Sequence, residues 1–331
     1  MLMLLFFAPA MYSATGVTGT EFLNFMPGAR AFALGEAFYS EKDDLFGMYY
    51  NPALINFVKR RQLALQHTEW FQSIRYEYLS YIFPKIKIRG KVIEKTALTM
   101  MLVHFGKIPN TIINMDYWVT HNDIHPSITL GEYSALFQNI MLTKALQYKG
   151  YDLGISAKLL ISKIAQYYSY NYAADAGVVF NTFSMRESLK MRDVLKKLLV
   201  PYQVGVSVRN IGPPSYFVNQ AYADPQPTEA ALGFTNKWFN EKLNYNFSLR
   251  YRAYYGIILG QGIEYSPFKM LSLRAGYMHK FIDSGIGALN DFSGGLGFNF
   301  NIADASIHID YALKSFGKLG WSHYISTRLK F

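Results

Sequence analysis

The chain ends in the sequence Leu319-Gly-Trp-Ser-His-Tyr-Ile-Ser-Thr-Arg-Leu-Lys-Phe331, in which two kinds of side chain alternate. Successive side chains of a β-strand point to opposite faces, so the segment predicts a strand with one apolar and one polar face. The more apolar face consists of Trp321, His323, Ile325, Thr327, Leu329 and Phe331. Segments 304–313 and 291–301 alternate in the same way. Soluble β-sheets show this pattern, and so do outer-membrane barrels, whose apolar face contacts lipid.

Composition favours the membrane barrel. Aromatic residues make up 17% of the 331 residues, with 26 Tyr and 25 Phe, and membrane barrels carry aromatic girdles at both interfaces. After the N-terminal segment no apolar run reaches about 18 residues, so we expect no transmembrane helix. A closed barrel can still span a bilayer, because its strands satisfy one another's backbone hydrogen bonds.

Cysteine usage and charge exclude several other functions. The chain has no cysteine, which rules out disulfides, thiolate metal sites and cysteine nucleophiles. Its net charge is +10, but the Lys and Arg residues are scattered through alternating strands. This distribution favours basic loops or a basic lumen near anionic lipid or solutes, and we expect no nucleic-acid partner.

The N-terminal 60 residues divide into two parts. Residues 1–14 are predicted to be a signal peptide, since 1–7 are apolar and Ala8-Pro9-Ala10 offers a cleavage site. The basic start of a signal peptide is missing, and a buried first strand is the alternative. Residues 15–60 are rich in small residues, and Asn51-Pro52 can begin a short helix. We expect a compact, partly helical module there.

Residues 61–331 predict a transmembrane antiparallel β-barrel of an all-β class, with fourteen strands. The candidate strands are 62–71, 74–88, 93–105, 130–146, 150–163, 167–182, 201–210, 228–238, 242–254, 257–267, 270–280, 291–301, 304–313 and 319–331. An even number of strands brings both ends of the chain to one side of the membrane. Long connections are expected at 106–129, 211–227 and 281–290. Residues 184–199 predict an inserted basic amphipathic helix, either on the membrane surface or packed under the barrel.

Three blocks of sequence resemble the PorV/PorQ family of outer-membrane proteins, which belongs with the FadL-type long-chain fatty-acid transporters. The first block is 28–35 (GARAFALG) with Asp43-Asp44 and Asn51-Pro52-Ala53, the second is 175–180 (DAGVVF) with 208–212 (VRNIG), and the third is 273–277 (LRAGY), 294–298 (GGLGF), 310–313 (DYAL) and 320–326 (GWSHYIS). The sequence departs from the usual pattern at Glu36 and at Leu54, where glycine is more common.

The resemblance implies a fourteen-strand barrel with an N-terminal, partly helical hatch inside the lumen. Asn51, Pro52 and Ala53 would match the hatch motif, and Phe331 would be the signal read by the barrel assembly machinery. In FadL-type proteins a hydrophobic ligand enters from outside, binds in the lumen, and leaves past a shifted hatch or through a gap in the wall. Some PorV-like members instead serve type IX secretion and hold exported proteins at the cell surface.

Candidate site residues come from the strand alternation, which turns six cations toward the lumen. These are Lys158, Arg250, Arg252, Arg274, Arg328 and Lys330. A buried cation needs an anion or water. The first four are predicted to bind the carboxylate of a ligand, because Arg suits bidentate pairing. The alternative is a structural network of salt bridges with Asp152, Glu264 and Asp310.

Other motifs give weaker evidence for a functional site. His308, Asp310, Ser322 and His323 suggest a triad, but Ser322 and His323 point to opposite faces, and we expect no enzyme. His104, His121 and His125, with Asp116 and Asp123, match no metal-ligand spacing, and neither metal nor cofactor is expected. Glycines at 285–287 and 294–297 lack a nucleotide-binding context and predict close backbone approach or bends in the wall. An interface girdle is predicted at Trp70, Phe71, Tyr76, Tyr78, Tyr81 and Phe83.

We therefore expect a transport barrel of the bacterial outer membrane, surrounded by outer-membrane lipid, that takes up long-chain fatty acids or other hydrophobic molecules. The alternative is a PorV-like, non-enzymatic secretion or anchoring subunit with a protein partner.

Overall fold

The computed structural model describes residues 18–70, 73–83, 86–88, 91–93, 95–113, 127–182, 203–216, 223–281, 291–317 and 320–331. Sixteen strands lie in these ranges. They are β1 (Gln62–Glu69), β2 (Arg75–Phe83), β3 (Ile86–Ile88), β4 (Lys91–Ile93), β5 (Thr96–Ile113), β6 (Ser127–Tyr148), β7 (Tyr151–Ile164), β8 (Tyr167–Asn181), β9 (Gln203–Ile211), β10 (Glu229–Trp238), β11 (Leu243–Arg252), β12 (Gly256–Phe268), β13 (Leu271–Lys280), β14 (Phe292–Ile302), β15 (Ala305–Ser315) and β16 (Trp321–Lys330).

Fourteen of these strands close into one antiparallel barrel. Each strand pairs with its neighbour along the chain, and β1 pairs with β16 from Gln62 opposite Lys330 to Glu69 opposite His323. The short strands β3 and β4 form a separate two-stranded sheet between β2 and β5. Closure leaves no barrel strand with an unpaired edge, which meets the requirement for a β-structure in lipid.

The barrel has two ends that differ in their connections. At the near end, where β1 begins and β16 ends, three of the turns have two residues each: 149–150, 269–270 and 303–304. At the far end, longer connections follow β5, β9 and β13, and the near end carries one long connection, between β8 and β9. Short turns face the periplasm in outer-membrane barrels and long loops face outside, so the three two-residue turns favour the near end as the periplasmic side.

The predicted barrel is confirmed, with corrections to three strands. The strand predicted at 74–88 ends at Phe83, and the predicted strands 93–105 and 130–146 extend to Ile113 and back to Ser127. The long connection expected at 106–129 is therefore shorter. Alternation is lost there because register shifts occur after Phe105 and after Asn110. The predicted signal peptide at 1–14 and the helix at 184–199 lie outside the described residues.

Apolar side chains cover the outer surface of the barrel. Outward positions along the strands carry exposed residues such as Leu65, Leu142, Ile155 and Ile263. Exposed aromatic residues gather toward both ends: Phe83, Tyr148, Tyr151, Phe268, Phe300 and Phe331 at the near end, and Tyr168, Tyr170, Tyr251, Phe292 and Trp321 at the far end. An apolar belt between two aromatic girdles is the lipid-facing surface of a transmembrane barrel.

Residues 18–58, here called the plug, fill the inside of the barrel. They contain 3-10 turns at Glu21–Asn24 and Pro52–Phe57 and the short helices α1 (Ala29–Ala33) and α2 (Gly47–Tyr50). Most of their side chains are buried, and α1 packs on β13, β14, β15 and β16. Pro52 opens its turn, as predicted, with Asn51 as the cap. None of the described helices has the length and apolar character needed to cross a membrane.

Candidate functional site

The interior of the barrel has two chemically different sides. On one side, the inward positions of β7 to β16 carry most of the buried charges, which form ion pairs with one another and with the plug. On the other side, the inward positions of β2, β5 and β6 are largely apolar. The plug lies between them and contacts both. A charged ligand and an apolar ligand would therefore meet different walls.

The four cations predicted to bind a ligand are all inward-facing and buried, and each pairs with a carboxylate. The pairs are Lys158–Asp175 at 2.8 Å, Arg250–Glu36 at 3.0 Å, Arg252–Glu229 at 2.6 Å and Arg274–Glu264 at 2.6 Å. Each buried cation therefore has the anion that its desolvation requires. Salt bridges thus describe the contacts of these residues, with Glu264 and Asp310 among the predicted partners, whereas Asp152 accepts from Asn56 at 3.1 Å. Ligand binding by the four cations stays a prediction.

Several of these ion pairs join the wall directly to the plug. Arg328 pairs with Asp44 at 2.8 Å, and Lys330 pairs with Asp43 at 2.7 Å. Arg30 of the plug pairs with Glu264 of β12 at 2.7 Å. Glu264 also accepts from Arg274, and Arg274 continues to Asp310 at 2.7 Å. This network fixes the plug against β12 to β16.

Glu36 stands where the resembling family more commonly has glycine, and the backbone explains the preference. Its φ is 58°, in the left-handed region that glycine adopts without strain. The carboxylate accepts from Arg250 at 3.0 Å and from Lys314 at 2.6 Å. Burial alone would raise the pKa of Glu36, but the charges of Lys314 and Arg250 hold that pKa well below its ordinary value. These two ion pairs offset the strain.

Asn51 attaches the plug to the wall between β8 and β9. Its Nδ2 lies 3.1 Å from the Tyr39 carbonyl, 3.2 Å from that of Val178 and 3.3 Å from that of Val206. Its Oδ1 accepts from the Ala53 N–H at 3.1 Å. The predicted hatch motif therefore forms a turn that bonds two neighbouring strands of the wall. Its role in opening the barrel stays a prediction.

Glycines in the wall make room for this turn. Gly154, Gly177 and Gly205 occupy inward positions of β7, β8 and β9, opposite Pro52, Asn51 and Tyr39. A Cβ on any of the three would overlap these plug atoms. The plug thus approaches the backbone of the wall closely, and glycine in a strand permits such an approach.

A second glycine surface receives the segment that follows α1. Gly262 and Gly276 face each other across β12 and β13, and a Cβ at either would overlap Leu34 or Gly35. On β14, a Cβ at Gly295 would lie 2.6 Å from the Ala33 Cβ. For 294–297 the sequence predicted close approach, and the contact at Gly295 confirms it. The glycines at 285–287 lie outside the described residues.

The apolar side of the interior corrects one prediction. Tyr76 and Tyr78 were assigned to an interface girdle, but both point inward and are about 1% and 2% exposed. The prediction was wrong because β2 carries large side chains on both faces, so aromatic content did not reveal direction. Tyr81 and Phe83 do lie on the outer face. Trp70 packs inward, with its Nε1 2.9 Å from the Tyr324 hydroxyl, and Phe71 lies outside the described residues.

At the far end, a cavity of about 350 Å³ opens between the start of the plug and the apolar wall. It is here called the far-end pocket, and its lining is Thr18, Gly19, Glu21, Phe22, Phe25, Phe105, Phe137, Ile164 and Asp224. The Phe22 and Phe137 rings stack with centroids 5.3 Å apart, and Phe105 meets Phe137 edge-on at 5.6 Å. Small-molecule sites are apolar cavities of about this size.

None of the predicted ligand-binding cations lines the far-end pocket. Its own residues were missed by the sequence reasoning, although one signal was present. β5 is apolar on both faces, with Leu98, Met100 and Leu102 outside and Met101, Val103 and Phe105 inside. A barrel strand with a water-filled lumen would be polar inside, so two apolar faces indicate an apolar interior.

A second concavity, of about 460 Å³, lies on the outer surface between β1, β2 and β5. Its lining includes Leu65, Leu79, Met100 and Ile325, which occupy outward strand positions. Lipid chains cover this surface in a bilayer, so its shape does not define a site inside the barrel.

The remaining predicted residues have simple positions. The ring of Phe331 is about half exposed beside Tyr81, and its N–H donates to the Arg61 carbonyl at 3.1 Å. Ser322 is buried inside, whereas His323 is outside and contacts the Tyr311 hydroxyl at 2.7 Å, so the two face opposite sides as predicted. His104 lies on β5, and His121, His125, Asp116 and Asp123 are outside the described residues.

Comparison with known proteins supports the fold. No protein-family model matches the sequence, and no curated protein is similar to it in sequence. The structure is similar to that of the Pseudomonas putida toluene transporter TodX, with a TM-score of 0.53 and 12% identity, over 92% of this chain and 96% of TodX. It is also similar to the Ralstonia pickettii toluene transporter TbuX, with a TM-score of 0.51 and 8% identity, over 92% of this chain and 97% of TbuX.

Identities this low relate the folds alone. Assignment to the PorV/PorQ family stays a prediction, while the fold expected from FadL-type transporters is confirmed. With its apolar belt, its two aromatic girdles and its closed sheet, the chain is a fourteen-strand transmembrane β-barrel of the bacterial outer-membrane type.

Proposed function

We propose that this barrel transports hydrophobic molecules across the outer membrane. The observation that carries the proposal is the far-end pocket, which lies on the expected outer side and is lined by four phenylalanine rings. The two similar structures are toluene transporters, which agrees with a hydrophobic cargo. Long-chain fatty acids are one predicted cargo, and other hydrophobic molecules are the alternative.

The apolar side of the interior offers a route from the pocket toward the near end. Below Phe105, the inward residues of β5 are Val103 and Met101, and Tyr78 of β2 lies beside Met101. On the plug side, Phe46 packs on Tyr78 with ring centroids 5.2 Å apart. Passage along this route needs the plug to shift, because these side chains are buried and in contact. We propose that the plug acts as the hatch of the transporter.

Uptake measurements with an obstructed pocket test the proposal. Cells that lack the gene are complemented with the wild type, with Ile164→Trp or with Lys163→Trp, and the uptake of radiolabelled naphthalene and oleate is followed. Ile164 lines the pocket, so the larger ring should fill it and reduce uptake about tenfold or more. Lys163 is the adjacent, outward residue near the interface, where tryptophan is tolerated. Uptake that is independent of the gene for both compounds would refute transport.

The second candidate is a secretion or anchoring subunit. The observation that favours it is the set of buried ion pairs between wall and plug, which suits a barrel that stays closed. Affinity purification from detergent extracts distinguishes the two. A protein recovered in stoichiometric amount, together with unchanged uptake in cells that lack the gene, would favour the subunit over the transporter.

A further inference from the structure

The charged groups that line the far-end pocket are both acidic. Glu21 and Asp224 lie at the edge of the apolar lining. The Glu21 carboxylate accepts from the Thr18 hydroxyl at 2.5 Å and from Asn24 Nδ2 at 2.8 Å. Both donors are neutral groups. Among the described residues no ion pair of Glu21 or Asp224 with a cation is present.

Cations are missing from the described lining of the pocket as well, since neither lysine nor arginine belongs to it.

Two basic residues on neighbouring strands, Lys163 and Lys107, are directed elsewhere. Lys163 faces outward beside the Tyr168 ring, with its Nζ 5.3 Å from the ring centroid. Lys107, on the extension of β5, pairs with Glu132 at 2.9 Å and is largely exposed. Deeper in the barrel, the cations of the charged side already have carboxylate partners.

The charge pattern favours one class of ligand. A carboxylate in the pocket would lose hydration and stand close to the like charges of the partly buried Glu21 and the exposed Asp224, which is unfavourable. An uncharged molecule loses little on leaving water and gains contacts with the phenylalanine rings. A fatty-acid anion would be repelled by these carboxylates on entering the pocket, whereas a neutral aromatic or aliphatic molecule would not.

We propose that the far-end pocket selects uncharged hydrophobic molecules and rejects carboxylates, with Glu21 and Asp224 as its specificity-determining residues. The inference rests on the proposed function, because it names the class of cargo that the transporter admits. It also assigns the selectivity to the plug and to the connection that follows β9, instead of the lumen cations.

Two ligands of the same shape isolate the effect of charge. 4-Fluoronitrobenzene and 4-fluorobenzoate are nearly isosteric, and only the second is an anion at pH 7. Binding of each to the full-length protein in nanodiscs is followed by fluorine NMR, with empty nanodiscs as the control for partition into lipid. We expect the nitro compound to bind at least about tenfold more tightly, since two like charges nearby each oppose the anion.

Neutralisation then tests the two residues. In the double variant Glu21→Gln with Asp224→Asn, the affinity ratio of the two ligands should fall about tenfold toward unity. Asp304→Asn, in a near-end turn, should leave the ratio as in the wild type. A measurement on the wild type alone supplements the variants: raising the salt concentration should improve benzoate binding more than nitrobenzene binding, because salt screens the repulsion.

The outcomes separate the inference from the function. If both ligands bind equally to the wild type, or if the ratio is the same in the double variant, the charge selectivity is wrong while transport of hydrophobic molecules stands. If neither ligand binds and uptake does not depend on the gene, the proposed function fails and the inference fails with it.

Discussion

At the scale of single residues, buried charge decides how firmly the plug is held. Glu36 combines a strained backbone, which costs stability, with two ion pairs, which hold its carboxylate in place. A glycine there would relieve the φ of 58° but would leave Arg250 and Lys314 without this partner. Removing one member of a buried pair costs more than the pair itself contributes, because the remaining charge stays desolvated.

The variant Glu36→Gln should lower the stability of the barrel by about 3 kcal/mol at neutral pH. The exposed pair of Glu132 with Lys107 provides a matched control, and Glu132→Gln should cost much less, because solvent screens that pair. Both are measured as denaturant unfolding in detergent. Equal losses for the two variants would contradict the role of burial.

The same carboxylate predicts a pH dependence. Because the pKa of Glu36 is lower in the folded protein than its ordinary value of 4.5, the unfolded chain binds the proton more readily. Its stabilising contribution is therefore complete above pH 4.5 and declines as the pH falls below that value. The difference in stability between wild type and Glu36→Gln should shrink on acidification. A constant difference down to pH 3 would show that Glu36 contributes no charge interaction.

Asn51 can be tested through its amide. The variant Asn51→Asp keeps the shape but replaces a donor with an acceptor facing the carbonyls of Val178 and Val206. The plug turn should detach, and amide hydrogen exchange across 47–57 should become at least about tenfold faster. Asn301→Asp, an exposed change of the same kind, should have no effect on that segment. Protection of 47–57 as in the wild type would contradict the anchoring role.

At the scale of elements, wall and plug fit because glycine lies where the plug backbone touches a strand. Gly177→Val should push Asn51 and Pro52 away from β8, whereas Ala176→Val places a valine on the lipid side. Trypsin reports the result, since in the intact protein Arg30 of the plug is largely buried and Lys42 is partly buried. Cleavage after Arg30 or Lys42 is expected in Gly177→Val alone. Resistance equal to that of Ala176→Val would contradict the close contact.

The last strand carries a separate prediction about assembly. We expect deletion of Phe331 to reduce the amount of barrel in the outer membrane, while Phe331→Tyr should retain it, because the aromatic ring is kept. Membrane fractions and resistance to heat in detergent gels give the measurement. Normal insertion of the truncated chain would show that Phe331 is not an assembly signal.

The elements also show what a sequence can predict. β11 and β7 alternate cleanly, so both their position and their inward face followed from the sequence. The far parts of β5 and β6 did not, since register shifts interrupt the pattern. Inward direction could be predicted for Lys158 or Arg250, but their partners could not. Asp175 is close in the sheet, whereas Glu36 is far in sequence and meets Arg250 only after the plug enters the barrel.

At the scale of the whole molecule, the plug divides the interior into a charged side and an apolar side. The charged side holds it in place, and the apolar side continues the surface of the far-end pocket. On the proposed route, hydrophobic cargo would meet phenylalanine, methionine and valine side chains along β5, on the side of the plug away from the ion pairs of β12 to β16. The ion pairs therefore hold the plug from the side that the proposed route does not use.

The most direct test of this account is a crystal structure of the full-length protein soaked with iodobenzene, in which the anomalous signal of iodine locates the bound molecule. The account predicts an iodine peak inside the far-end pocket, among Phe22, Phe105 and Phe137. Iodine found only in the outer concavity beside Leu65 and Leu79 would contradict it, because the molecule would then bind where lipid does and not inside the barrel.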